Sequence, residues 1–466
     1  MIMTGCDSTT PPTTETYLIT ASAGPNGSIT PSGDIEVYQG EDQTFIITPD
    51  SGYQVESILI DGAPVTATGE YTFSAVDQDH TITVSFTEES TQTGGPVHNI
   101  TQGTYYNTIQ AALDEAINND TIEVDDGTYE ECLYYPSDMN LVLRSVNGAA
   151  VTTIKGNNTY ATVHITSPLA GSSLSGFTVT HQTGKSGWGV YIQDGQMTID
   201  QCIITGNESS YNGGGIRNIC STLTVTDTTI SDNSADSGVG GGVTNYDSNL
   251  TLTDCTLTGN SAQQGGGICN VYNSNMIINN CTITDNVCNL FGGGGIHCVN
   301  DAILNVTNST ISTNTVEGFG GGISIHDAVM TIANCTLSDN VSHSDGGGIC
   351  IYNDGSSTIM DCTISGNHAD DSGGAIANKN CQLALTGSTI SDNSATHGGG
   401  IMLWLDTSSG PYPTIGGLGA DEENIICGNY KGTDAASTNQ AIRSYYYGNL
   451  YDQYARKNNI TANCPF

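Results

Sequence analysis

The sequence predicts an all-β chain whose larger part is a β-solenoid of about 27 residues per coil, preceded by a small β module. Three observations carry this. An Asn in the pattern [IL]-[ST]-x-N recurs as Asn207, Asn233, Asn260, Asn286, Asn314, Asn340, Asn367 and Asn393, at intervals of 26, 27, 26, 28, 26, 27 and 26 residues. Runs such as Leu250 to Leu257, LTLTDCTL, alternate with period two, favour β-branched residues and show no helical period. A GGG segment follows most of these Asn residues, as at 213–215, 240–242, 265–267, 293–295, 320–322, 346–348 and 398–400, with Gly373 and Gly374 in the same place.

Stacked coils place equivalent residues on top of one another, so the demands of each position repeat as a ladder. An Asn where the strand turns can satisfy turn backbone groups and bond its neighbours above and below. Glycines permit positive φ and close approach between coils. Five residues before the Asn stand Cys202, Cys255, Cys281, Cys335 and Cys362, replaced by Thr228, Ser309 and Ser388 in other coils. That is an interior ladder of small residues, read as free thiols in a core. One coil fits three short strands joined by tight turns, and about twelve coils between residues 98 and 430 make a rod of roughly 60 Å.

Composition bounds the partners. Nine Lys and Arg against 48 Asp and Glu give a formal charge of −39, which repels nucleic acid and bare anionic lipid surfaces. No run of 18 apolar residues occurs, so no transmembrane helix is expected.

The remaining elements follow in chain order. Met1 to Asp7, MIMTGCD, resembles the end of a bacterial lipoprotein signal, which implies lipidation of Cys6 and an extracellular or cell-surface location, as in an outer-membrane lipoprotein. Residues 1–16 are then the start and a Thr/Pro-rich tether. Short alternating runs over 17–89 mark the small β module. Its Gly27 to Pro31, Tyr53 to Val55 and Asp79 to Phe86 segments resemble the bacterial surface repeat related to the internalin B-repeat, which implies a spacer or adhesion module. Residues 90–97, STQTGGPV, are a linker. A short amphipathic helix from Thr108, with Ile109, Ala112, Leu113, Ala116 and Ile117 on one face, caps the solenoid that spans 98–430. This cap resembles that of the pectate lyase-like superfamily, which implies a right-handed single-stranded parallel β-helix. The GGGI and [IL]-[ST]-x-N motifs loosely resemble chlamydial polymorphic outer-membrane protein repeats and other secreted bacterial β-helix repeats. Residues 431–466 form a C-terminal cap, and Cys464 within it is the expected disulfide partner of Cys427 in the last coil.

Candidate sites come from the strand after each GGG. Its Ile points inward, so the next residue and the one two further on face outward. The first outward lane contains Arg217, Thr244, Cys269, His297, Ser324 and Cys350, and the second contains Tyr246, His326, Tyr352, Lys379 and Trp404. Two arrangements are open: rings about 5 Å apart per coil stack on the sugars of a glycan, or the loops between Asn and GGG fold over this face and make it core. The expected ligand-binding residues are Tyr246, His297, His326, Tyr352 and Trp404. His297 and His326 lie one coil apart, within reach of a shared metal but without an evident third ligand. Acidic loops offer Asp345, Asp370 and Asp371 as Ca²⁺ candidates, and no other cofactor is indicated.

The superfamily resemblance also implies carbohydrate chemistry. Pectate lyases use acidic residues to hold Ca²⁺ and an Arg as base, and polygalacturonases pair Asp residues with Gly-His-Gly and Arg-x-Lys. This chain has neither polygalacturonase motif, and Arg217 is the only Lys or Arg between Lys185 and Lys379. The first expectation is a non-enzymatic surface rod that adheres to a glycan or to a host or neighbouring cell surface. A lyase or hydrolase acting on acidic glycans, with Arg217 as its catalytic candidate, is the second; a self-associating structural rod is the third.

Overall fold

The computed structural model describes residues 15–66, 68–88, 94–157, 160–184 and 186–405, together with the later strands Thr414–Ile415, Ile425–Cys427, Tyr430–Lys431 and Ile442–Tyr446. Two compact units divide at Thr93 and Gly94. Cys6 and Cys464 lie outside the described residues, as does the side chain of Cys427, and so do the lipidation and disulfide expected there.

The first unit is all β. A five-stranded sheet, in the order Gly33–Tyr38, Thr16–Ala23, His80–Glu88, Tyr53–Ile60 and Ala63–Val65, shares one apolar core with a three-stranded sheet of Gly27–Thr30, Gln43–Pro49 and Glu70–Phe73. The period-two pattern produces this directly: Ile19, Ile58 and Ile82 of the first sheet meet Phe45 and Ile47 of the second, all buried.

The second unit is a parallel β-helix. Its short helix, Ile109–Asp114, is capped by the Thr108 side chain, which accepts from the Ala111 N–H. Ile109, Ala112 and Leu113 are buried against the first coil. Ile117, expected on the same face, is exposed because the helix ends at Asp114, three residues earlier, and the helical register no longer applies.

Each regular coil contributes to four sheets rather than to three. In the coil around Asn260 they are Asn249–Thr253 in sheet 1, Thr256–Thr258 in sheet 2, Ser261–Gln264 in sheet 3 and Ile268–Val271 in sheet 4. The sheets hold 14, 12, 9 and 12 strands respectively. Sheet 3 is the unexpected one: it begins only at Glu208–Ser209, and several of its strands are two residues long.

The ladders explain the repeat. From Asn207 to Asn393, each Asn Nδ2 donates to the Oδ1 of the Asn one coil on, at 2.9 to 3.0 Å throughout. The same Oδ1 also accepts the backbone N–H of the previous coil's Asn, so both its lone pairs are used. The x before each Asn has positive φ: Gly206, Gly259 and Gly366 occupy it in some coils, Asp232, Asp285, Asp339 and Asp392 in others, and Thr313 in one. Gly and Asp alternate there because both tolerate the left-handed region. The small-residue ladder is buried as expected, and its cysteines are free thiols. Its interchange of Cys, Ser and Thr has a hydrogen-bond reason: the Cys202 N–H donates to Thr228 Oγ1, that of Cys255 to Cys281 Sγ, and that of Cys281 to Ser309 Oγ.

Candidate functional site on the outer face of sheet 4

Sheet 4 runs in register from Leu133 to Tyr446, so its outward residues form the two lanes. Of the two arrangements open from the sequence, the first lane takes the covered one. Thr244, Cys269, Ser324, Cys350, Ala377 and Met402 are buried, and His297 is only 4% exposed. The cause is the first glycine of each turn. Gly240, Gly265, Gly320, Gly346, Gly373 and Gly398 all have positive φ, which folds the chain back over the strand that follows. A Cβ on Gly346 would lie 2.8 Å from Cys350 Cβ, and one on Gly292 would lie 2.7 Å from the His297 ring. His297 is therefore not the accessible ligand residue anticipated. Burial, reinforced by His326, pushes its imidazole down to about 4.

The second lane stays accessible and carries rings. His326 and Tyr352 pair across adjacent coils and stack at 4.4 Å between centroids. Lys379 and Trp404 pair across the next two, with the ammonium 5.0 Å from the Trp404 ring and 5.1 Å from that of Phe319. Phe319 in turn lies 5.7 Å from Tyr352. Lys379 also pairs at 2.9 Å with Asp345, whose carboxylate is almost wholly buried. Burial beneath these rings pushes the Tyr352 phenol up to about 12. Closer to the N-terminus, Tyr246 stands against Tyr272 at 5.0 Å, both rings part-exposed.

A second cluster surrounds Arg217. Its guanidinium carbon lies 4.7 Å above the Trp188 ring and 5.8 Å from that of Tyr191. Tyr160 packs 5.1 Å from Trp188 and 5.2 Å from His164, and Tyr211 lies 6.3 Å from Trp188. His164 and Tyr191 belong to the Arg217 lane, which the register carries back to Tyr134. Desolvation by these rings lowers the Arg217 pKa from its ordinary value.

The acidic candidates are not brought together. Asp345 is committed to Lys379. Asp370 sits between His343 at 2.9 Å and His368 at 3.0 Å, and Asp371 faces His397 at 3.4 Å. Among the described residues no group of three or more His, Cys, Asp and Glu side chains is arranged to hold a metal ion.

An all-β chain of stacked parallel coils, closed by a helix and carrying one ring-lined face, defines a parallel β-helix protein. Residues 117–328 and 294–464 match the family described as the right handed beta helix region, and the chain belongs to that family. Residues 17–90 match the divergent InlB B-repeat domain. No curated protein matches the chain. Among solved structures it is similar to the A-module of the Azotobacter vinelandii mannuronan C-5 epimerase AlgE6, with TM-score 0.49 and 15% identity over 73% of this chain and 91% of that one. The A-module of AlgE4 from the same organism gives TM-score 0.49 and 15% identity over 76% and 96%.

Proposed function

We propose that this protein is a surface-exposed or secreted rod that binds a glycan along sheet 4 without turning it over, held at the cell surface through Cys6. The observation that carries the proposal is the placement of rings and cations. Both tryptophans of the chain, Trp188 and Trp404, lie on this one face, as do Arg217 and Lys379, each over an aromatic ring. Sugar rings present apolar C–H faces to such surfaces and polar hydroxyls to the groups between them, and His326 and Tyr352 offer both in one stack. Stacking each sugar on a ring contributes on the order of 1 kcal/mol, so an extended site over several coils gains affinity by repetition and reaches roughly the millimolar range.

The test is a glycan array read for binding and for product, with and without Ca²⁺. Tyr352→Ala with Trp404→Ala is expected to weaken binding at least tenfold while circular dichroism still shows the β structure of the wild type. Release of shortened or unsaturated products by the wild type, abolished by Arg217→Ala, would establish a lyase and refute the non-enzymatic reading.

A further inference from the structure

We infer that Arg217 and the rings around it form a distinct anion subsite, which takes the negatively charged substituent of an acidic sugar while the ring of that sugar lies against Tyr160 or Tyr211. This rests on the reading of sheet 4 as a glycan-binding face and names the class of glycan.

The side chains described for Lys and Arg are those of Arg144, Lys155, Arg217 and Lys379. Arg144 pairs with Glu123 at 2.6 Å, Lys155 with Glu130 at 3.4 Å and Lys379 with Asp345 at 2.9 Å. Arg217 alone has no carboxylate partner and makes no side-chain hydrogen bond among the described residues. In a chain with 48 Asp and Glu, a cation left unpaired is conspicuous. The rings against it are Trp188 and Tyr191, with Tyr160 and Tyr211 packed on Trp188 in turn.

A guanidinium half-buried on rings has given up part of its hydration, and the ring faces return only part of that loss. Its five N–H donors are held in a planar fork that matches an oxyanion, and an incoming carboxylate or sulfate would supply the missing acceptors. Tyr160 and Tyr211 are exposed at 41% and 69%, while Trp188 beneath is anchored by its indole N–H donating to the Asn212 carbonyl at 2.7 Å. A fixed floor with open ring walls around a free fork suits a charged, flat-faced ligand. The shared chemistry is an oxyanion borne on a sugar ring, whether a uronate carboxylate or a sulfate ester.

The experiment is calorimetric titration of the full chain with three oligosaccharide probes: a uronate, the same oligosaccharide with its carboxyl groups reduced to alcohols, and a neutral oligosaccharide bearing sulfate esters. The wild type is expected to bind at least one anionic probe ten- to a hundredfold more tightly than its neutral counterpart, the range for a charge-assisted bidentate contact. In Arg217→Ala that ratio should collapse to about one, and in Arg217→Lys it should fall only part of the way. Preference for the uronate identifies a carboxylate, and preference for the sulfate ester identifies the other source. A ratio unchanged by Arg217→Ala, with Tyr352→Ala still weakening all probes, overturns the subsite and leaves the glycan face standing. No binding of any probe by the wild type overturns both.

Discussion

Replacing Asn286 by Ala tests the ladder at its centre. Asn286 Nδ2 donates to Asn314 Oδ1 at 2.9 Å, Thr284 O at 3.0 Å and Leu257 O at 3.1 Å. Its Oδ1 accepts from Asn260 Nδ2 at 2.9 Å and from the Asn260 backbone N–H at 3.1 Å. Alanine removes all of these and keeps the backbone bonds, from the Asn286 N–H to Asn314 Oδ1 and from the Thr315 N–H to Asn286 O. Asn260 Nδ2 retains Ile230 O, so the severely affected group is the buried Asn260 N–H, left without an acceptor. An orphaned buried donor costs about 1 to 3 kcal/mol, and the two bonds that the two Nδ2 hydrogens make at one time add on the order of 1 kcal/mol each, for a total of roughly 3 to 5 kcal/mol. A long repeat array does not unfold as one unit, so the fitting assay is native-state hydrogen exchange resolved by coil. Amides of the coils at Asn260, Asn286 and Asn314 should exchange a hundred- to a few thousandfold faster, at about 1.4 kcal/mol per decade. Distant coils should be unchanged, and Asn305→Ala, on a half-exposed strand position, should have no comparable effect. Acceleration of less than about fivefold at those coils would mean that water or a relaxed backbone replaces the amide, and the ladder argument would fail.

Two further outcomes follow from the same architecture. His297 is neutral in the fold because its pKa is depressed to about 4 from an ordinary 6.5, so its contribution is complete above about pH 6.5 and is lost as pH falls towards 4. The loss amounts to roughly 3 kcal/mol, and His297→Gln should flatten the pH dependence of the denaturation midpoint in that window; an unchanged slope would show that the ring is not desolvated as described. Thr313 is the one β-branched residue at the positive-φ position before the Asn ladder, with φ of 53°. Thr313→Asn relieves that strain and retains a polar acceptor, so the midpoint should rise by the equivalent of about 1 kcal/mol, and a fall would show that the Thr313 hydroxyl contacts outweigh the backbone cost.

What was legible in the sequence is what repeats under the same physical demand. The Asn residues, the Gly or Asp before them and the Cys/Ser/Thr position each answer one backbone geometry, so their period alone places the coils, the core and the second lane. The glycines were read correctly as a licence for close approach, yet their consequence was not visible. Period-two alternation says which side of a strand a residue faces, and cannot say that Gly292 will lie on that side against His297. The Arg217 cluster was missed for a related reason. Gly187-Trp188-Gly189 stands where other coils have GGG, as the bond from the Gly189 N–H to Gly214 O shows. The Trp at its centre hid the equivalence, and with it the continuation of the lane through Tyr191, His164 and Tyr134. A second buried amide ladder, Asn218 to Asn245 to Asn270 at 2.8 Å per step, was hidden inside positions that alternation assigns to apolar residues. In both places the repeat is broken locally: the ladder replaces inward-facing apolar side chains, and the Trp replaces a turn glycine. A solenoid makes such departures informative, because the neighbouring coils show what the backbone alone requires at that position. Trp188 departs from that requirement directly beneath the one described cation without a carboxylate, and it is there that the chain's binding chemistry should be sought first.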